Sequence, residues 1–123
     1  MMQAAPATHY HATQASPLPA VPLRGRVDAD VCIVGGGFAG LNTALGLAER
    51  GRRDVVVLEA HGVGHGASGR NGGFVFGGFS RGEDALLRDL GGRQARALYA
   101  GTTLAVERIR GRVRAHGIDC DMV

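Results

Sequence analysis

The chain contains no lysine and no tryptophan among its 123 residues, only two cysteines, and no long apolar run. Each shortage excludes something. Cys32 and Cys120 sit far apart, so neither a disulfide framework nor a zinc-ligand spacing is available. Cys32 lies inside an apolar strand pattern, where it reads as a small buried hydrophobe. The most apolar runs, near Val31–Val34 and Val55–Leu58, are far shorter than the roughly 20 residues that cross a membrane as a helix. The N-terminus lacks the basic region and apolar block of a signal peptide, so the expected location is the cytoplasm, with no membrane partner. All 14 basic side chains are arginine; against 11 acidic ones they leave a net charge of +3. That excess is a weak pull toward polyanions and does not by itself imply nucleic-acid binding. Apolar residues make up 45%, near the globular norm, so a disordered acidic chain does not fit.

Glycine, by contrast, is abundant. The chain has 21, more than twice the usual share of roughly 7%, without the strict repeat of collagen. Fifteen of them fall between Gly35 and Gly82. Clustered glycines mean backbone held in special conformations or lying close to a ligand.

Residues 1–28, rich in Ala, Pro, Thr and His at their start, read as an extended N-terminal arm. His9 and His11 within it read as solvated rather than metal-binding, and no metal site is expected. Residues 29–123 read as part of one α/β domain. Ala29-Asp30-Val31-Cys32-Ile33-Val34 is a short β-rich run of the kind buried on both faces of a parallel sheet. From Phe38 to Arg50, Phe38, Leu41, Ala44, Leu45 and Ala48 recur at helical spacing, and Gly51 stands where a helix ends. Asp54-Val55-Val56-Val57-Leu58 is a second buried strand. Residues 29–59 thus form one βαβ unit. Two strands are too few for a stable doubly wound sheet, so the sheet reads as incomplete. Residues 62–82 form a glycine-rich loop with nine glycines. Phe74, Val75, Phe76 and Phe79 set it apart from a solvated linker. Residues 83–116 read as two helices, Glu83 to Leu90 and about Gln94 to His116, the second with Ala95, Leu98, Thr102, Ala105, Ile109 and Val113 along one face. Arg108, Arg110, Arg112 and Arg114 splay round that helix, which favours a solvated surface over a nucleic-acid stripe.

Gly35-Gly36-Gly37-Phe38-Ala39-Gly40 matches G-x-G-x-x-G between a predicted strand and a predicted helix, the context that gives this pattern its meaning. Gly35 permits the tight turn, Gly37 lets a pyrophosphate approach the backbone, and Gly40 lets the helix pack on the strand. The N–H groups at the helix start, at Phe38 and Ala39, face the phosphates. Glu59 ends the second strand, 19 residues after Gly40, where a carboxylate accepts hydrogen bonds from ribose hydroxyls and repels the extra phosphate of NADP. Ala60 follows it. The stretch Gly64-His65-Gly66-Ala67-Ser68-Gly69-Arg70-Asn71-Gly72-Gly73 then keeps small and polar residues near the pyrophosphate. Ser68 and backbone N–H groups bind phosphate oxygens there and Arg70 offsets their charge. A loop of this kind favours FAD over NAD.

The run "DVCIVGGGFAGLNTALGLAERGRRDVVVLEA" followed by "GHGASGRNGG" resembles the FAD-dependent amine and amino-acid oxidoreductases of the D-amino-acid oxidase superfamily, and within it the gamma-glutamylputrescine oxidase-like branch. The tail "RAHGIDCD" and the arm around Tyr10, Ala12 and Thr13 resemble that branch too. The resemblance implies an N-terminal βαβ unit of a Rossmann-like FAD-binding domain, followed by the glycine-rich loop and helices. It implies that Gly35, Gly37 and Gly40 hold the FAD pyrophosphate, that Glu59 holds the ribose, and that Ser68, Arg70, Asn71, Gly72 and Gly73 lead toward the flavin. It implies oxidation of a CH–NH or CH–NH2 group of a small-molecule amine or amino acid, hydrolysis of the resulting imine, and transfer of electrons to oxygen. Members of this superfamily are several times longer, so the chain is expected to be an N-terminal fragment, inactive alone. No catalytic residue is assigned; His61, His65 and His116 are candidates by type only. Two other readings stand beside this one: a stand-alone NAD- or nucleotide-binding module without redox catalysis, and an arginine-rich nucleic-acid binder.

Overall fold

The computed structural model describes residues 8–14 and 21–123. They belong to two compact units, Met1–Gly72 and Gly73–Val123.

The first unit is built on two strands and a helix. β1 (Val31–Val34) pairs in parallel with β2 (Val55–Leu58), with Val31 opposite Val55 and Val34 opposite Leu58. Backbone bonds from Val31 N–H to the Asp54 carbonyl and from Gly35 N–H to the Leu58 carbonyl, 3.2 and 2.7 Å, close the ladder at its two ends. Parallel strands need a crossover of a dozen or more residues; α2 (Phe38–Glu49) provides it and packs on both strands. Its end follows from the sequence. Gly51 takes the left-handed conformation (φ +79°), and the N–H groups of Gly51 and Arg52 return to the carbonyls of Ala48 and Leu47, a Schellman closure.

Burial in this unit departs from expectation. Along β1, Val31 and Ile33 are half-buried while Cys32 and Val34 are exposed, Val34 at 86%. Alternating side chains of a strand point to opposite faces, and within this unit α2 covers only the face that carries Ile33. The expected burial of β1 on both faces, and of Cys32 as a core residue, is therefore corrected: Cys32 is exposed. On α2 the half-buried positions are Gly40 and Ala44 to Leu47, whereas Phe38 and Leu41 are exposed.

The arm expected to be extended carries one turn of helix, α1 (His9–Thr13). Thr8 caps it, its hydroxyl accepting from the His11 N–H, and the Thr13 hydroxyl donates to the His9 carbonyl. The Thr8 hydroxyl thus satisfies one of the N–H groups that a helix start leaves unpaired. Residues 1–7 and 15–20, also in the expected arm, lie outside the described residues.

The second unit is dominated by α3 (Glu83–His116). Glu83 and Asp84 lie in its first turn and Arg114 and His116 in its last, complementing the helix dipole. Gly91 (φ 73°, ψ 160°) breaks the helical backbone, so the two expected helices meet at a kink there. Leu86 and Ala95, one on each side of it, are the buried apolar side chains of the described residues. Phe79 meets Tyr99 edge to face at 5.8 Å, and a Cβ on Gly77 would lie 2.9 Å from the Thr102 hydroxyl. The glycine-rich segment before α3 therefore runs closely along it. Phe74 and Phe76 stay exposed, at 82% and 79%. Among the described residues no helix is long and apolar enough to cross a membrane.

Candidate functional site

Beyond the C-terminal ends of β1 and β2, two loops of the first unit meet: the turn 35–37 and the loop that follows β2. Gly35 makes the turn with φ +103°, a conformation that an L side chain resists. Gly36 is buried. Its carbonyl accepts from the Gly64 N–H at 2.9 Å, which docks the second loop on the first. At Gly40 an added Cβ would lie 1.9 Å from the Gly35 carbonyl oxygen and 3.3 Å from Ile33 Cγ2. α2 thus approaches the turn and β1 as closely as a bare backbone allows.

Glu59 follows β2 directly and turns its carboxylate back to the turn. Oε2 accepts from the Gly36 N–H at 2.7 Å, and Oε1 accepts from the His61 N–H at 3.0 Å. These two donors, Gly36 first, hold the Glu59 carboxyl below the usual carboxylate range, because backbone N–H groups stabilise the charged form. The nearby His61 ring, Nδ1 at 3.8 Å from Oε1, and the Ala60 N–H act in the same direction. Each carboxylate oxygen accepts more than one hydrogen bond, so the two backbone bonds leave capacity for a ligand hydroxyl. A groove of about 560 Å³ adjoins the carboxylate, with Val34, Val57 and Val63 in its walls.

The start of α2 carries N–H groups with no acceptor within the helix. Ser68 takes one of them: its hydroxyl accepts from the Phe38 N–H at 2.9 Å. A Cβ on Gly37 would lie 2.9 Å from that hydroxyl, so glycine at 37 is what admits Ser68 to the helix end. Ser68 sits in a 3-10 turn, Ala67–Gly69. The turn is tight, since a Cβ on Gly69 would meet the Gly64 carbonyl oxygen at 2.2 Å. Arg70 Nε donates to the His65 carbonyl, and Asn71 Nδ2 donates to the Ser68 carbonyl at 2.6 Å.

The residues singled out from the sequence therefore fall into one cluster and its margins. Gly35, Gly37, Phe38, Ala39, Gly40, Glu59, Ala60, Ser68, Arg70, Asn71 and Gly72 belong to the first unit; Gly73 opens the second. Of the histidines, His61 and His65 stack with ring centroids 4.4 Å apart, and His116 ends α3. Among the described residues no group of three metal-ligating side chains is assembled. Sequence reasoning missed Gly36, whose N–H and carbonyl join Glu59 and Gly64 to the turn; as a middle glycine of three it carries no spacing signal. It also missed the contact of Tyr10, whose hydroxyl donates to the Asn71 carbonyl at 2.9 Å. Nothing local in the sequence announces a partner 61 residues away.

The cradle suits a dinucleotide on its own chemistry. It joins a helix N-terminus, glycines where a Cβ would close the gap, and a carboxylate at the end of the neighbouring strand, the combination that takes a pyrophosphate and a ribose diol.

Comparison with known proteins gives the same direction. The family described as FAD dependent oxidoreductase (DAO) matches residues 30–123. Gamma-glutamylputrescine oxidoreductase of Escherichia coli is 44% identical over 114 residues, 93% of this chain and 26% of that protein. "Probable oxidoreductase OrdL" of Haemophilus influenzae is 42% identical over 100 residues, 81% of this chain and 23% of that protein. The tRNA 5-methylaminomethyl-2-thiouridine biosynthesis bifunctional protein MnmC of Aeromonas salmonicida is 43% identical over 61 residues, half of this chain and 9% of that protein. No solved structure matches. The chain spans about a quarter of the length of the first two of these relatives. With the family matched over most of its length, this chain belongs to the FAD-dependent oxidoreductases of the D-amino-acid oxidase superfamily.

Proposed function

We propose that this chain holds the adenosine ribose and pyrophosphate of FAD in an enzyme that oxidises a CH–NH or CH–NH2 group of an amine or amino acid. The observation that carries the cofactor part is the joint docking of Glu59 on the Gly36 N–H and of Ser68 on the Phe38 N–H. It sets a carboxylate for a ribose diol and a helix N-terminus for a pyrophosphate on one turn. Glu59, with Ala60 beside it, accepts from the ribose hydroxyls, and the adjoining groove lies within the roughly 300–1,000 Å³ usual for small-molecule sites. Gly35, Gly37 and Gly40 keep the turn open. The Ala39 N–H faces the phosphates, the Ser68 hydroxyl, held on the Phe38 N–H, donates its own proton to them, and Arg70 offsets charge. Asn71, Gly72 and Gly73 carry the chain on toward the flavin ring.

FAD, when bound, supplies the hydride acceptor for amine oxidation and passes the electrons to oxygen. The amine class follows from the gamma-glutamylputrescine oxidoreductase likeness. None of the described side chains is placed as a proton acceptor for that step, and the 123-residue chain by itself turns over no amine in this reading. His61 and His65 stack on each other beside Glu59, which makes them neighbours of the ribose rather than of the reacting carbon.

Flavin fluorescence titration of the purified chain tests the reading, with NAD and NADP as competitors. Saturable binding of FAD that neither NAD nor NADP displaces at equal concentration is expected. Tight NAD binding with no FAD binding would assign the chain to the stand-alone nucleotide modules instead.

A further inference from the structure

The ribose and pyrophosphate contacts leave α1 without a role, yet α1 is tied to the loop that carries Ser68. The Tyr10 hydroxyl donates to the Asn71 carbonyl at 2.9 Å, across 61 residues of sequence. One residue on, the His11 ring meets the His65 ring edge to face, with centroids 6.4 Å apart. α1 therefore touches the loop on both sides of Ser68. A helix of five residues has no stability of its own, so these contacts and the Thr8 cap hold it in place.

The direction of the Tyr10 bond matters more than its presence. In a trans peptide the C=O and the following N–H point opposite ways. Capture of the Asn71 carbonyl by Tyr10 thus turns the Gly72 N–H away from α1. From the other side, Asn71 Nδ2 holds the Ser68 carbonyl at 2.6 Å. The backbone from Ser68 to Gly72 is thus tied at both ends, by the Tyr10 hydroxyl and by the Asn71 side chain. Glycine at 72 supplies no side chain to do that work.

We infer that Tyr10 is a positioning residue for the second glycine-rich loop: its hydroxyl, through the Asn71 carbonyl, sets the direction of the Gly72 N–H and with it the loop that Ser68 brings to the phosphates. The identity of the ligand rests on the FAD reading; the tie between α1 and the loop does not.

Tyr10→Phe removes the hydroxyl and keeps the ring. In the ligand-free chain, hydrogen exchange by mass spectrometry should become faster over residues 68–72 and α1, with β2 and α2 unchanged. The dissociation constant for FAD should rise about fivefold, the worth of one net hydrogen bond. Unchanged exchange over residues 68–72 overturns the inference, and so does a uniform rise through β2 and α2, which marks general destabilisation. Faster loop exchange with FAD affinity unchanged overturns it as well. If the unsubstituted chain binds no FAD, the cofactor reading falls and the exchange result alone decides the positioning role.

Discussion

At Gly40 a single methyl group decides whether the turn and α2 can coexist. A Cβ there would lie 1.9 Å from the Gly35 carbonyl oxygen, and the obstacle is backbone, which cannot swing aside as a side chain does. Gly40→Ala should cost about 3 kcal/mol, the upper end of the range for overpacking, and weaken FAD binding in parallel; urea denaturation of the two proteins checks it. Glu59 gives a second prediction at this scale. Gly36 and His61 N–H groups hold its carboxyl below the ordinary value of 4.5, so its contribution to stability is fully present above that value. The contribution is lost as pH falls through the lower folded-state value, where the carboxylate takes up its proton. Melting curves should therefore show a gap between the protein and Glu59→Gln that is constant near neutrality and narrows only below about pH 4.5. A gap that grows toward acid pH would contradict the assignment.

The elements show what pattern alone can and cannot reveal. The βαβ unit was legible because each boundary carries its own chemistry: glycines after Val34, the left-handed Gly51 after α2, and β-branched runs between. The face each strand buries was not legible. Val31, Cys32, Ile33 and Val34 are all apolar or small, so the run has no alternation to read, and burial then depends on which neighbours arrive. α2 arrives on one face, and Cys32 and Val34 are left outside. The turn of helix at α1 escaped for a related reason, since a single capping threonine among Ala, Pro and His residues is a faint signal. In the cluster around the turn 35–37, the glycines, Glu59 and Ser68 that meet there could be picked out by spacing and residue type, whereas the bridging roles of Gly36 and Tyr10 exist only once distant segments meet.

The glycine pair Gly91-Gly92, expected to separate two helices, is where α3 kinks, at Gly91 alone. Its mechanism is specific: Gly91 occupies a region of φ and ψ that other residues rarely enter. Gly91→Ala should cost about 1–3 kcal/mol. Gly101→Ala lies on the same helix, in helical conformation and with open space around the new Cβ, and should stabilise by up to about 1 kcal/mol. Denaturant midpoints shifted in opposite directions check the pair; a Gly91→Ala midpoint no lower than that of the unsubstituted chain would show that the kink at Gly91 is not backbone-imposed.

For the whole molecule, the family membership and the geometry converge on one end of one unit. The chain spans about a quarter of the length of its first two relatives, and its chemistry-bearing residues concentrate beyond the ends of β1 and β2. Val34, Phe74 and Phe76 stand largely exposed, and among the described residues the sheet has two strands. A map of backbone amide shifts by NMR, as FAD is added to the isotopically labelled chain, tests whether the cofactor binds beyond the ends of β1 and β2. The largest changes are expected at residues 35–40, 59–60 and 68–72, with α3 from Gln94 to His116 little affected. Changes centred on α3, or none at residues 35–40, would contradict that placement.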